Sequence, residues 1–176
     1  MNIEEIKKQL TDNHNDFIKI ISSLSEKEFM FSVNDKWTAG QQLHHIVLSV
    51  SPLTKIFFLP SFMIKLIFGK ANRTSKDYDS LIKKYLIKID QGGKATKRFV
   101  PPTVEYMGRE KLISQLTALI KKLVNQLEGF SEKQLDDLIL PHPLLGKLTV
   151  REMFMFSVYH VQHHQKITLR NLEAKQ

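Results

Sequence analysis

Residues 149–172 read TVREMFMFSVYHVQHHQKITLRNL, and their apolar residues recur at helical spacing. Thr149 and Glu152 stand three positions apart at the beginning of this stretch, which is the spacing of a capping box. The pattern predicts one long helix from Thr149 to about Leu172, with an apolar face that packs into a core.

One face of this helix carries two histidines four residues apart, His160 and His164. Side chains at that spacing lie one above the other, with about 5 to 6 Å between Cβ atoms, so both imidazoles can point at one place. His163 lies to one side of that line and is expected either at the rim of the site or behind the ligands, in contact with them. A lone histidine near a helix end is usually an ordinary polar position, but burying two without a partner would be costly. The pair therefore predicts half of a metal site.

The same helical period predicts three further helices, and no segment shows sustained strand alternation. These helices are predicted at residues 2–24, 38–59 and 109–128, the second with a bend at Pro52. The chain is therefore predicted to be all-α.

A faint internal repeat divides the chain into two halves. Leu24-Ser-Glu-Lys-Glu-Phe precedes Trp37-Thr-x-x-Gln, and Phe130-Ser-Glu-Lys-Gln-Leu precedes Leu148-Thr-x-x-Glu. In each half, the sequence predicts a long helix, then a short turn capped by serine, and then a capped helix that carries histidine. The repeat indicates two helical hairpins.

Between the two halves, residues 70–108 are expected to form a long irregular crossover with one short helix at residues 78–89. Two hairpins joined in this way predict a four-helix bundle of up-down-down-up topology, with the crossover between the second and third helices. With 176 residues and 42% apolar content, the chain is expected to form a single domain, residues 1–176.

The composition restricts the chemistry and the compartment. The chain has no cysteine, which excludes disulfides and thiolate ligands and leaves histidine and carboxylate to bind a metal. The N-terminus lacks the features of a secretory signal. The most apolar window, residues 56–64, is far shorter than the roughly 20 apolar residues of a membrane-spanning helix. We expect a cytoplasmic protein without a membrane span.

Most of the formal net charge of +8 lies in one stretch. Residues 65–98 contain ten basic and three acidic side chains. Such a stretch could bind nucleic acid, an anionic membrane surface or an acidic substrate. The bases form no regular stripe and are not interleaved with aromatic residues, so we interpret the stretch as a solvated connector and expect no nucleic-acid partner.

The second helix offers a third imidazole, from either His44 or His45. Periodicity alone does not choose between them, because each shares a face with plausible neighbours. Three neutral imidazoles would leave a divalent metal one open position for water or substrate. His14 and His142 are interpreted as structural or exposed residues.

The sequence resembles the DinB-like (YfiT-like) superfamily of metal-dependent hydrolases over nearly its whole length. The resemblance rests on three motifs and on the crossover segment Phe99-Val-Pro-Pro. The motifs are Trp37-Thr-x-x-Gln-x-Leu-x-His45-Ile, His142-Pro-Leu-Leu-Gly-Lys-Leu-Thr-x-x-Glu and His160-x-x-His163-His164, the last being the most specific.

The resemblance implies a four-helix bundle that holds a divalent metal, zinc or nickel, with three histidines. Matching the motif residue by residue implies that the ligands are His45, His160 and His164, which selects His45 over His44. Many members carry glutamine three residues after the last ligand, where this chain has Ile167.

The implied function is that of a metal-dependent enzyme, either a hydrolase or a thiol S-transferase of the bacillithiol type. The expected partners are a small-molecule substrate, with a low-molecular-weight thiol as one option, and a second copy of the chain in a homodimer. No general base is assigned, because the expected role of Glu152 is the capping box. The alternative is a non-catalytic bundle, stabilised by metal, that binds an anionic partner through its basic crossover.

Overall fold

The computed structural model describes residues 1–174, so the predicted domain, which ends at 176, includes two residues outside the described part. Helices make up most of that part. A two-stranded antiparallel sheet stands directly before the last helix. The elements are α1 (Ile3–Ser23), α2 (Glu26–Phe29), α3 (Ala39–Ile56), α4 (Ser61–Phe68), α5 (Tyr78–Asp90), α6 (Arg109–Leu127), α7 (Glu132–Asp137), β1 (Ile139–His142), β2 (Gly146–Thr149) and α8 (Val150–Glu173).

Side-chain caps stand at the starts of three long helices, and those at Thr38 and Thr149 agree with the predicted capping boxes. The side-chain oxygens of Asn2, Thr38 and Thr149 each accept a hydrogen bond from the backbone N–H three residues on, at the starts of α1, α3 and α8. The two predicted serine-capped turns are the short helices α2 and α7, which begin after Ser25 and Ser131. Local sequence therefore specifies most helix starts in this chain.

The four long helices pack in a different pairing from the one that the repeat suggested. α1 packs mainly against α6 and α8, and α3 packs mainly against the same two helices. The prediction that each half forms a hairpin of two adjacent long helices is therefore wrong. The connections are the physical reason, because residues 24–38 and 128–149 are longer than the two to eight residues that usually join adjacent antiparallel helices.

The second predicted helix ends three residues earlier than expected, and a helix that the sequence did not predict follows it. α3 continues through Pro52 and ends at Ile56, and α4 begins after Pro60, bent by 108° from α3. The sharp change of direction therefore comes after Ile56. No single helix within residues 1–174 is long and apolar enough to cross a membrane, and α3 and α4 meet those criteria only as a bent pair.

The hairpin of β1 and β2 corrects the prediction that the chain has no strands. Leu140 pairs with Leu148 across the hairpin, and both side chains are buried. Each strand has only four residues, too few to show an alternating pattern in the sequence. Gly146 opens β2 with a φ of 78°, a conformation that glycine adopts without strain. β2 ends at Thr149, which is the N-cap residue of α8.

Glu152, in the first turn of α8, forms hydrogen bonds with the basic crossover. Its carboxylate accepts from the Thr149 backbone N–H, as the capping box predicted, and it also accepts two hydrogen bonds of 2.7 Å from the Arg73 guanidinium. Burial alone would raise the pKa of Glu152, but the hydrogen bonds from Arg73, Lys76 and Thr149 hold it below its usual value. The interpretation of the crossover as a purely solvated connector is therefore incomplete.

His14 lies on α1 and is enclosed by the core. Its side chain is 1% exposed, and its Nδ1–H donates to the Leu10 carbonyl at 2.8 Å. Burial, opposed in part by this hydrogen bond, lowers the pKa of His14 from 6.5 to about 4. Of the two roles expected for His14, structural or exposed, its burial favours the structural one.

Acid is expected to destabilise the fold through His14. Between pH 6.5 and about 4, the unfolded chain binds a proton at His14 that the folded chain does not bind. Stability therefore falls as the pH falls through this window, by about 3 kcal/mol in total, and His14 adds nothing further below it. Urea unfolding should show a smaller loss of stability over this window for His14→Gln than for the wild type. Parallel pH profiles would contradict this assignment.

Candidate metal centre

The structure brings three of the predicted histidines together. α3 supplies His45, and α8 supplies His160 and His164. The Nε2 atom of His160 lies 3.3 Å from that of His45 and 3.0 Å from that of His164. One nitrogen from each ring lies within 4.8 Å of the others, which is close enough to bind a single ion. All three side chains are at least 90% buried.

Hydrogen bonds to the outer ring nitrogens fix the orientation of two of these rings. The Nδ1–H of His45 donates to the Phe99 carbonyl at 2.7 Å, and the Nδ1–H of His164 donates to Oε1 of Gln42. A carbonyl oxygen can only accept, so Nδ1 carries the proton in both rings. The Nε2 atoms of neutral His45 and His164 therefore present lone pairs to the interior of the cluster.

The three Nε2 atoms cannot all find a hydrogen-bond donor among themselves, and a bound cation would satisfy them. A proton on Nε2 of His160 can be donated to His45 or to His164, but not to both at once. At least one buried nitrogen lone pair is then left without a donor, which costs free energy. One divalent ion between the three nitrogens would satisfy all of them. The donor set therefore fits a metal such as zinc or nickel, which bind imidazole well.

The local environment keeps the three rings in the form that binds metal. Burial lowers the pKa of His45, and burial followed by the neighbouring histidines lowers the pKa of His160 and His164 well below 6.5. The rings are therefore neutral near pH 7, with lone pairs available for coordination.

Two aromatic side chains pack against the histidine rings, one from the segment before α3 and one from α8. The Trp37 ring stacks on His164 with 6.4 Å between centroids and lies 5.0 Å from His45. On α8, the Phe156 ring stacks on His160 at 4.8 Å and meets the edge of His142 at 4.4 Å. These contacts restrict rotation of the ligand rings and surround the site with apolar surface.

The other predicted candidates lie outside the cluster. His44 is half-buried, so of the two adjacent histidines on α3 only His45 reaches the site. His163 is half-buried beside the cluster, with its ring 5.3 Å from that of His164 and 5.4 Å from that of Tyr85. His142 lies on β1, where its Nδ1 accepts from two backbone N–H groups of the turn. His163 therefore lies beside the cluster and is not one of its three converging imidazoles.

The polar partners of the ligands were not singled out from the sequence. This chain has Ile167 three residues after His164, and the polar partner of His164 in the structure is Gln42 on α3. Gln42 stands three residues before His45, so helical spacing places both on one face. The Phe99 carbonyl gave no such signal, since a backbone acceptor in an irregular segment has no side-chain pattern.

Gln42→Leu is expected to weaken metal binding by about 10- to 100-fold, because removing the acceptor frees the His164 ring to rotate and change tautomer. Competition with a chromophoric chelator would measure the affinity. Gln165→Leu is the matched control, because that amide is not hydrogen-bonded to any of the three histidines. Equal affinities for the two variants would show that Gln42 does not orient the site.

Comparison with known proteins agrees with this geometry. The family model of the DinB superfamily matches residues 9–167, which is far more than half of the chain. No curated protein matches the sequence. The matched segment contains His45, His160 and His164 together with the helices that carry them. This chain therefore belongs to the DinB superfamily.

Proposed function

We propose that this protein is a metal-dependent enzyme that transfers a low-molecular-weight thiol to a small electrophilic substrate. His45, His160 and His164 would hold one divalent metal, zinc or nickel. The observation that carries the proposal is the convergence of three imidazole Nε2 atoms, two of them oriented by hydrogen bonds to their Nδ1 atoms. Three protein ligands leave a position open, as catalytic sites do, whereas structural sites are usually closed by four.

When bound, the metal would lower the pKa of a coordinated thiol or water and so supply a nucleophile at neutral pH. The protein's own groups hold the three imidazole rings in the orientation that coordination requires. The carbonyl oxygens of Phe99 and Gln42 accept hydrogen bonds from the two Nδ1–H groups and keep the Nε2 atoms directed inward. Trp37 and Phe156 cover the rings on two sides and exclude water from the apolar walls.

The choice of S-transfer over hydrolysis rests on the lack of a nearby carboxylate. Within residues 1–174, no Asp or Glu side chain hydrogen-bonds to the three histidines or joins their cluster. The buried carboxylate of Glu152 is already paired with Arg73. Metal-assisted hydrolysis usually relies on a general base to position and deprotonate water, whereas a thiol ionises readily on binding a metal.

Hydrolysis is the second candidate, and one observation favours it. The His163 ring lies 5.3 Å from the His164 ring and is half-buried at the edge of the cluster. An imidazole in that place could act as the general base that the missing carboxylate would otherwise provide. His163 would then be essential for hydrolysis and dispensable for metal binding.

The non-catalytic alternative is less well supported. It requires the basic crossover to present its cations to an anionic partner. Arg73 and Lys76 instead lie against the buried carboxylate of Glu152, and the Lys84 ammonium donates to the Leu145 carbonyl at 2.9 Å. Several cations of the crossover therefore make contacts within the protein and are less available to an external partner. We accordingly propose a small-molecule substrate and no nucleic-acid partner.

We also propose that the long helices form a single-domain bundle of up-down-down-up topology. Lys7 near the start of α1 pairs with Glu128 just after α6, which supports opposite directions for these helices. Phe57 at the end of α3 stacks on Phe154 near the start of α8, which supports opposite directions there. The Met1 carbonyl accepts from a side chain in the first turn of α8, which supports a common direction for α1 and α8.

Thiol binding can be tested in protein loaded with cobalt(II), which reports its ligands through its absorption spectrum. We expect bacillithiol or another low-molecular-weight thiol to produce a sulfur-to-cobalt charge-transfer band. The corresponding alcohol should produce none, and His160→Ala, which lacks a ligand, should show no band with either compound.

Turnover separates the two enzymatic candidates. With 1-chloro-2,4-dinitrobenzene as the electrophile, the thiol loses its proton to solvent, a carbon–sulfur bond forms, and the carbon–chlorine bond breaks to release chloride with the bonding electron pair. We expect His163→Ala to retain this activity. If no thiol produces a band and the metal-loaded protein instead hydrolyses esters in a manner that depends on His163, the S-transferase proposal is wrong and the hydrolase proposal replaces it.

A further inference from the structure

α4 and the turn before it carry an unusually apolar exposed surface. Phe58, Phe62 and Leu66 are 77%, 70% and 83% exposed, and Ile67 is 55% exposed. We call these four residues the α4 face. On the opposite side of the same helix, Ile64 is completely buried and anchors α4 to the core. The packing of Ile64 thus leaves the α4 face on the outside of the protein.

Lysines that lack acidic partners border the α4 face. Lys55 and Lys65 are exposed, and the Lys122 ammonium lies 5.6 Å from the centre of the Phe58 ring. None of the three forms an ion pair with an acidic group of residues 1–174. Apolar side chains at the centre and unpaired cations at the edge therefore form one surface.

The nearest acid does not neutralise this positive charge. The carboxylate of Asp137 interacts with Lys65 only at longer range, and it forms ion pairs with Lys133 at 2.7 Å and with Lys70 at 3.8 Å. Hydrogen bonding from Lys133 is the largest factor that lowers the pKa of Asp137. This carboxylate therefore lies among three lysines and leaves the region with a net positive charge.

We propose that the α4 face docks on the surface of an anionic lipid bilayer. Phe58, Phe62 and Leu66 would enter the boundary between headgroups and acyl chains, while the bordering lysines contact anionic headgroups. A second copy of this chain fits the surface less well, because a symmetric contact would bring the same lysines together without acids to pair with them.

Docking in this way leaves the candidate metal centre free. His45 stands eleven residues before the end of α3 at Ile56, so the site lies about 17 Å along the helix from the turn that leads to α4. Most of α3 is buried in the core, so the bent pair of α3 and α4 could enter a bilayer only by unfolding the protein. The inferred attachment is to the surface and does not span the bilayer.

The test is co-sedimentation of the full-length, metal-loaded protein with phosphatidylcholine vesicles, prepared with and without phosphatidylserine. We expect binding only to the vesicles that contain phosphatidylserine. Phe62→Ser combined with Leu66→Ser should weaken the partition coefficient at least tenfold. Lys55→Gln combined with Lys65→Gln should also weaken it, by about 30-fold at about 1 kcal/mol per lysine, and raised salt should reproduce that loss.

Controls separate docking from misfolding and from self-association. Met107→Ser removes an apolar side chain that is 92% exposed outside the α4 face, and it should bind vesicles like the wild type. All variants should retain their circular dichroism and metal content. The proposal is overturned if the wild type does not bind anionic vesicles or if the Phe62 and Leu66 variant binds equally well. It is also overturned if light scattering shows a dimer that the same variant converts to a monomer, since the α4 face would then be a protein interface.

Discussion

His160→Ala is expected to abolish stoichiometric metal binding. The Nε2 atom of His160 is the centre of the cluster, within 3.3 Å of its counterparts in both His45 and His164. Removing a partner that only orients a ligand typically costs 10- to 100-fold in affinity, so removing a ligand itself should cost more than about 100-fold. Elemental analysis of protein purified without an affinity tag would measure the loss.

His163→Ala provides the matched control on the same helix. It removes an identical side chain three residues away, whose ring touches the cluster but is not among its three converging imidazoles. This variant should keep one metal per chain. Equal metal content in His160→Ala and the wild type, or equal loss in both variants, would show that the ligands are assigned wrongly.

Arg73→Met is expected to lower the free energy of unfolding by about 3 kcal/mol. The Glu152 side chain is completely buried, and Arg73 supplies its two shortest hydrogen bonds. Without the guanidinium, the carboxylate keeps two backbone donors and one distant ammonium, and removing one partner of a buried pair usually costs 3 to 5 kcal/mol. For a chain of this length, the melting temperature should fall by about 9 °C.

Lys76→Met is the comparison for this prediction. It removes a cation from the same carboxylate, but the Lys76 ammonium lies 3.7 Å away, and the Lys76 backbone N–H that bonds Glu152 remains. Its effect should be below about 1 kcal/mol, because the ammonium is too far from the carboxylate to donate a hydrogen bond to it. Similar thermal stability for Arg73→Met and the wild type would mean that the pairing of Arg73 with Glu152 adds little to the fold.

The sequence predicted the long helices and their starting points because those features are local. A capping residue and its partner stand three positions apart, so the boxes at Thr38 and Thr149 can be identified without any tertiary contact. The spacing of His160 and His164 likewise identified two residues that share a helix face. Features set by neighbours within one turn of helix were therefore predictable.

Features that depend on distant segments were not predictable in this way. Arg73 reaches Glu152 across 79 positions in sequence, and the Phe99 carbonyl reaches His45 across 54. Helix pairing was also predicted wrongly, because the repeat specifies similar local units without specifying which of them pack together. Long-range contacts arise from the whole fold, and one sequence contains no local pattern for them.

The choice between His44 and His45 depends on both local sequence and long-range contacts. Both positions have apolar and polar neighbours at helical spacing, so the period of α3 left them equivalent. The rotation of α3 against α8 separates them, placing His45 in the cluster and His44 at a half-buried position. Resemblance to a family favoured His45, the residue that the structure places in the cluster, because family motifs record such long-range geometry.

Anomalous diffraction from crystals of untagged protein would test most directly whether His45, His160 and His164 hold a metal. We expect one peak per chain at the absorption edge of zinc or nickel, about 2.0 to 2.1 Å from the Nε2 atoms of all three. One coordination position should be left to solvent or substrate. The absence of a peak among these three nitrogens in metal-supplemented crystals, or a fourth protein side chain that closes the site, would contradict the assignment of an open catalytic centre.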